Sequence, residues 1–215
     1  MINVNKNEIQ RYLGYRGVTE IDAQISAMID DCIMEMSSQV APKSIFRSYP
    51  LEIGPDSIDF ADIHVTSKNL LKNIKGCKEI VMMAATIGLG PDMLVRRTEV
   101  RDIMRAYVYQ ATGAAMVEAY CDEVNEKIKE EAAARGLYAR PRFSPGYGDF
   151  PLEVQKDFVR ILDMPKTIGV TLSDSLLMTP TKSVTAVIGL APTDEGCNLA
   201  GCEECTMHDT CAYSR

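Results

Sequence analysis

The chain has little of what nucleic-acid-binding, membrane-spanning and secreted proteins require. Its 23 Lys and Arg residues are outnumbered by 30 Asp and Glu residues, which gives a net charge of −7, whereas a nucleic-acid-binding protein normally presents a basic face. No apolar run approaches the length that spans a bilayer, and the first residues lack the apolar segment of a secretory signal. We therefore expect a cytoplasmic protein that binds neither nucleic acid nor membrane.

Tryptophan is absent and histidine occurs only twice, as His64 and His208, and the sequence shows no catalytic-triad pattern. Hydrophobic residues make up 46% of the 215 residues, which is enough for a sizeable core. This length suits one domain, or one domain with an appendage.

Cysteine is sparse over most of the chain and crowded at its end. Four of the seven cysteines fall within the last nineteen residues: Cys197, Cys202, Cys205 and Cys211. In a cytosolic protein such clustering indicates a metal site more than disulfides, because four thiolates hold zinc or an iron–sulfur cluster. The spacing matches no standard ferredoxin run, His208 offers a Cys3His alternative, and a reduced, disordered tail remains open. We predict one domain over residues 1–192 and a Cys-rich metal or iron–sulfur tail over residues 193–215.

Apolar residues recur at helical spacing in several parts of the chain. Cys32 lies on one such apolar stripe, and we expect the Cys32 side chain to be buried. Thr19 is expected to cap the helix that carries this stripe. Gly136 ends the longest pattern. The predicted helices are residues 5–14, Ile21–Met36, a brief helix capped by Thr66 or Ser67, residues 92–135 with a break near Thr98–Arg101, and a short helix beginning near Pro151.

Short extended patterns separate these helices. The apolar run Ile80–Ile87 predicts a buried central strand. Gly88-Leu-Gly90 follows it, and a structural turn is favoured over an anion site at a helix start. Strands and helices are mixed without βαβ alternation, so we predict an α+β fold with a mixed or antiparallel sheet and long helices. The other predicted strands are Ser44–Ile53, Ile58–Val65, Lys166–Leu172 and Ser183–Leu190.

The most distinctive stretch is Arg140-Pro-Arg-Phe-Ser-Pro-Gly-Tyr-Gly-Asp-Phe-Pro151, here called the arginine–tyrosine loop. Prolines restrict its backbone and glycines permit tight turns, so the loop is expected to be stiff. It presents Arg142 and Tyr147, a guanidinium and a phenol suited to gripping a carboxylate beside a flat or cationic group. The alternative is a rigid connector whose arginines are solvated.

Three segments in order resemble the activation domain of cobalamin-dependent methionine synthase. They are Arg142-Phe-Ser-Pro-Gly146-Tyr147, then Gly169-Val-Thr-Leu172-Ser-Asp-Ser175-Leu-Leu-Met178-Thr-Pro180, then Ser183-Val184. The resemblance covers roughly residues 138–190, and its specificity comes from the combination, because each piece alone is weak.

The resemblance implies S-adenosylmethionine binding by Arg142 and Tyr147, with backbone atoms of Ser144 and Gly146 between them. The family also uses an acidic residue from its N-terminal part, which the sequence does not locate. No Asp-x-His-x-x-Gly pattern of cobalamin binding occurs, so the cobalamin is expected on a partner.

The implied function is a freestanding component of methionine biosynthesis that supports reductive methylation of cob(II)alamin on a cobalamin-binding methionine synthase or another corrinoid protein. A flavodoxin or ferredoxin is a possible electron donor. Because this reaction needs an electron, iron–sulfur is slightly favoured over zinc in the tail. The alternatives are a non-catalytic module that senses S-adenosylmethionine or docks on a corrinoid protein, and an electron-transfer adaptor that uses the tail.

Overall fold

The computed structural model describes residues 2–15 and 21–195 and confirms the α+β fold with an antiparallel sheet. Its helices are α1 (Lys6–Tyr12), α2 (Ala23–Ser37), α3 (Lys68–Asn73), α4 (Gly90–Glu99), α5 (Ile103–Ala133), α6 (Gln155–Ile161) and α7 (Met164–Thr167), with a 3-10 turn at Leu152–Val154. Its strands are β1 (Lys43–Ile53), β2 (Ile58–Phe60), β3 (Ile63–Val65), β4 (Glu79–Thr86), β5 (Tyr138–Ala139), β6 (Thr171–Leu172), β7 (Met178–Thr179) and β8 (Ser183–Ala191).

Six strands form the main sheet in the order β3-β2-β1-β4-β8-β5, and β6 pairs with β7 separately. The predicted central strand is confirmed, because β4 lies between β1 and β8 and its side chains from Ile80 to Thr86 are buried. A strand covered on both faces has no polar face to alternate, which explains the continuous apolar run. In the described ranges, no helix combines the length and hydropathy that crossing a membrane requires.

The chain divides into two compact units, and the divisions fall inside β1, β4, α5, α6 and β8. Unit 1 comprises the described residues within 1–45, 84–124 and 158–184, and unit 2 comprises those within 46–83, 125–157 and 185–215.

In unit 1, α2 buries Ile29, Cys32 and Met36 of the predicted apolar stripe, with Cys32 at 0% exposure. The predicted cap Thr19 lies outside the described residues. The observed cap is Asp22, whose side chain accepts a hydrogen bond of 2.7 Å from the Gln24 amide. An acidic cap is favourable there because amides at a helix start carry partial positive charge.

A polar cluster joins α2 to α5 in unit 1. Glu35 accepts 2.6 Å from the Arg105 guanidinium and also accepts a hydrogen bond from the Tyr109 hydroxyl. The Tyr109 hydrogen bond holds the pKa of Glu35 below its usual value, while burial raises the pKa of Tyr109 to about 12. Cys32 lies in the same electrostatic environment, and burial raises its pKa to about 11. Glu35, Arg105 and Tyr109 thus hydrogen-bond to one another and link the two helices.

The predicted strand Lys166–Leu172 is wrong over most of its length. Residues Met164–Thr167 form α7, and only Thr171–Leu172 is extended. Met164 and Ile168 are buried four residues apart on one face, and the Thr167 hydroxyl donates 2.9 Å to the Asp163 carbonyl. The apolar spacing was therefore that of a helical turn rather than a strand.

In unit 2, the region Ile58–Val65 is two short strands rather than one. Ala61 has a positive φ of 51°, which turns the chain between β2 and β3. The pair is in register, with Ile58 opposite Val65 and Phe60 opposite Ile63. The predicted cap of α3 is confirmed as Ser67, whose hydroxyl accepts 3.0 Å from the Leu70 amide.

Candidate functional site

The arginine–tyrosine loop lies wholly in unit 2 and is folded on itself. The Gly146 amide donates 2.8 Å to the Phe150 carbonyl, and the Phe150 amide donates 3.0 Å to the Tyr147 carbonyl. The Tyr147 amide also donates 3.0 Å to the Ser144 carbonyl. Gly146 has a φ of +88°, which favours glycine. The loop is therefore a compact turn whose backbone is held by its own hydrogen bonds.

The loop leaves the sheet through a β-bulge. Ala139 pairs with Leu190, and Phe143 pairs with Val187. The chain thus advances four positions on one strand and three on β8, so one extra residue lies between the two pairs. An extra residue bends the strand and redirects its side chains, and bulges are common beside functional sites. This bulge contains Arg142.

Arg140 and Arg142 have different roles. The Arg140 side chain is only 7% exposed and donates 3.0 Å to the Lys75 carbonyl. A Cβ on Gly189 would lie 3.4 Å from the Arg140 Cγ, so the arginine stem packs tightly on β8. Arg140 is thus a buried structural residue, whereas Arg142 is half-buried, with its Nη1 atom out of contact with solvent.

The four predicted ligand residues lie in one turn and differ in exposure. Arg142 and Ser144 are half-buried, whereas Gly146 and Tyr147 are exposed, with Tyr147 at 64%. The Phe143 ring contacts the Tyr147 ring edge-on, with centroids 6.2 Å apart, and so orients the phenol. This turn presents one cation, one phenol and an accessible glycine backbone. Such a set is able to bind a zwitterionic ligand with a flat group.

Sequence reasoning missed Asp149, which connects the loop to α3. Its carboxylate accepts hydrogen bonds from the Ser67 hydroxyl at 2.5 Å, the Lys68 amide at 2.7 Å and the Asn69 amide at 3.1 Å. The Ser67 hydrogen bond, followed by those of the two amides, lowers the pKa of Asp149. No local spacing could have shown this contact, because about eighty residues separate the partners.

The other end of the loop also contacts α3. The Asn73 side-chain amide donates 3.4 Å to the Pro141 carbonyl, a long and weak bond. With the Arg140–Lys75 bond, it fixes the beginning of the loop beside the C-terminal end of α3. The two ends of α3 therefore hold the two ends of the loop.

The predicted tail ligands Cys197, Cys202, Cys205 and Cys211 lie outside the described residues. Among the residues that the structure describes, no group of three or more His, Cys, Asp or Glu side chains is arranged to hold a metal ion. Cys32, Cys77 and Cys121 are buried, which confirms the expected burial of Cys32.

Comparison with known proteins gives one family and one fold. Residues 70–211 match the family model described as vitamin B12 dependent methionine synthase, activation domain. The chain is also similar to a crystal structure of the MetH reactivation domain bound to AdoHcy, with a TM-score of 0.68 and 16% sequence identity over 88% of this chain and 74% of that chain. At this identity the similarity shows the fold alone. The search of curated proteins gave no match.

Proposed function

We infer that this chain, which belongs to the activation-domain family of vitamin B12 dependent methionine synthase, binds S-adenosylmethionine on its arginine–tyrosine loop. The observation that carries this proposal is the turn Arg142–Tyr147, which lies inside the family match and projects from a bulge. The similar solved structure holds AdoHcy, the demethylated form of the same ligand.

Each residue of the turn suits a part of this ligand. Arg142 would pair with the methionyl carboxylate, because a guanidinium fork matches a carboxylate with two parallel hydrogen bonds. The backbone of Ser144 and Gly146 would approach the ligand closely, since Gly146 has no side chain and is exposed. Tyr147 would pack against, or hydrogen-bond to, the ribose or amino-acid portion. When bound, the ligand supplies an electrophilic methyl group on its sulfonium sulfur.

We further propose that the chain supports reductive methylation of cob(II)alamin held by a partner methionine synthase or corrinoid protein. One electron from a donor such as flavodoxin or ferredoxin and the methyl group of S-adenosylmethionine give methylcobalamin, and S-adenosylhomocysteine is released. This chain contributes by orienting the methyl donor, S-adenosylmethionine, and this role requires no general base or nucleophile.

Calorimetric titration of the anaerobically purified chain with S-adenosylmethionine tests the binding proposal. Arg142→Ala should weaken binding by about tenfold to a hundredfold, since hydrogen bonds to charged groups contribute about 1.5–3 kcal/mol. Arg142→Lys should recover part of the affinity, because it keeps the charge and loses the fork. Arg97→Ala, an exposed arginine on α4, is the matched control and should bind normally.

The results separate the candidate functions. Absence of saturable binding by the unaltered chain would overturn the proposal. Binding with no effect on cob(II)alamin methylation by a candidate corrinoid partner would favour the sensing or docking module instead.

A second candidate function is electron transfer through the tail. The family match extends through residue 211 and so includes the four clustered cysteines. We propose that they hold an iron–sulfur cluster, with zinc as the alternative. Iron, sulfide and zinc content, visible absorbance and a Cys205→Ser variant test this. A colourless protein with stoichiometric zinc would exclude the electron-transfer role.

A further inference from the structure

We propose that Asp149 is a positioning residue, which orders the arginine–tyrosine loop by fastening it to the N-terminal end of α3. The part of this inference that concerns ligand affinity rests on the proposed S-adenosylmethionine function. The part that concerns loop order stands on the geometry alone.

The contacts show that α3 is attached to the loop at both of its ends. Its N-terminal end meets Asp149 through the Ser67 hydroxyl and two backbone amides, and its C-terminal end meets Pro141 through Asn73. The six residues of α3 span about 9 Å at 1.5 Å per residue. A helix of fixed length therefore sets the distance between the two ends of the loop.

Gly148 makes an independent contact at the same place. Its φ is +55°, and a Cβ built on it would overlap the Asn69 side-chain amide. A side chain at this position would therefore require Asn69 to move, and the positive φ also favours glycine. Gly148 and Asp149 are consecutive, and both of them lie against the N-terminal part of α3.

Asp149 lies inside the turn that carries Tyr147. The Gly146 amide and the Phe150 carbonyl close the turn around it, and the Phe150 amide bonds to the Tyr147 carbonyl. Fixing Asp149 therefore fixes the backbone on both sides of Tyr147. Since apparent affinity falls with the fraction of molecules in the binding-competent conformation, a loosened loop should bind more weakly without loss of any ligand contact.

The test uses four variants of the full chain: Asp149→Ala, Asp149→Asn, Gly148→Ala and the control Asp22→Ala, which removes the acidic cap of α2 in unit 1. Amide hydrogen exchange without ligand reports loop order, calorimetry reports S-adenosylmethionine affinity, and thermal unfolding reports global stability. Asp149→Ala should accelerate exchange of the Gly146 and Phe150 amides at least tenfold and raise Kd by a similar factor.

The variants distinguish local ordering from general stabilisation. Asp149→Asn retains one acceptor oxygen and should restore part of both effects, whereas Asp22→Ala should lower thermal stability without changing either. Gly148→Ala should strain the loop at its positive φ while leaving the Asp149 carboxylate intact, so it provides a second test of loop order if Asp149→Ala fails to fold.

Unchanged exchange in Asp149→Ala, or faster exchange with unaltered affinity, would overturn the positioning role. If the unaltered chain shows no S-adenosylmethionine binding, the proposed function fails, and the exchange data alone still decide whether Asp149 orders the loop.

Discussion

Removal of the Asp92 carboxylate should destabilise unit 1 through the segment that follows Pro180. Asp92 lies in the first turn of α4 and is 7% exposed. Its carboxylate accepts a hydrogen bond of 2.7 Å from the Thr181 amide and one of 2.6 Å from the Thr181 hydroxyl. These two bonds tie the α4 start to the chain between β7 and β8.

The expected magnitude follows from the two bonds. Hydrogen bonds to charged groups contribute about 1.5–3 kcal/mol each, but Thr181 is exposed, so water replaces part of what is lost. Asp92→Ala should therefore lower the free energy of unfolding by about 2–4 kcal/mol. For a chain of this size that corresponds to a fall in Tm of about 5–15 °C. Thr181→Ala removes only the hydroxyl bond and should cost about 1 kcal/mol.

A double-mutant cycle of Asp92→Ala and Thr181→Ala, measured by urea unfolding, isolates the side-chain pair. We expect a coupling of about 1 kcal/mol, because Asp92→Ala already removes what Thr181→Ala would lose. Asp92→Asn is the matched control, since it retains shape and one acceptor. A loss below about 0.5 kcal/mol for Asp92→Ala, or strict additivity in the cycle, would refute this reasoning.

Three further outcomes are expected. Cys32, Cys77 and Cys121 are buried, and burial raises the pKa of Cys32 to about 11. None of the three should therefore be alkylated in the folded protein at pH 8. Peptide mapping that finds Cys32 alkylated in the folded protein would contradict this. Asp149 has a folded-state pKa below its ordinary value of 3.8, so its contribution to stability is present above that pH and is lost as pH falls through the folded pKa. Acid unfolding should accordingly be steeper below about pH 4 for the unaltered chain than for Asp149→Asn, and equal profiles would count against it. Phe150 is 1% exposed, so Phe150→Ala should cost about 3–5 kcal/mol in urea unfolding, whereas Phe150→Leu should cost less than about 1.5 kcal/mol. A loss below about 1 kcal/mol for Phe150→Ala would show that the ring is not packed.

Features set by neighbours along the chain could be predicted from the sequence. The apolar run in β4, the break between α4 and α5 and the cap Ser67 each depend on a few consecutive residues, and the structure has all three. The family resemblance was likewise carried by short ordered segments, and the family match includes them.

Features set by distant contacts could not be predicted. Asp149 reads as an ordinary loop residue until α3 is placed beside it. The two arginines of the loop are alike in sequence, and only the bulge and the Lys75 carbonyl make Arg140 structural. The strand prediction for Lys166–Leu172 was wrong for a different reason. So short an apolar pattern fits a helical turn and a strand equally well.

Because both ends of α3 hold the loop, the loop cannot be transferred to another protein by itself. A graft of residues 140–151 into another scaffold would carry the recognition motif but leave Asp149 and Pro141 without their partners on α3. Insertion of one residue into α3 would turn its ends by about 100° relative to each other and so separate the two attachment points. The smallest portable module is therefore helix, loop and the facing part of β8 together, and changes in length of α3 and of the loop have to occur in step.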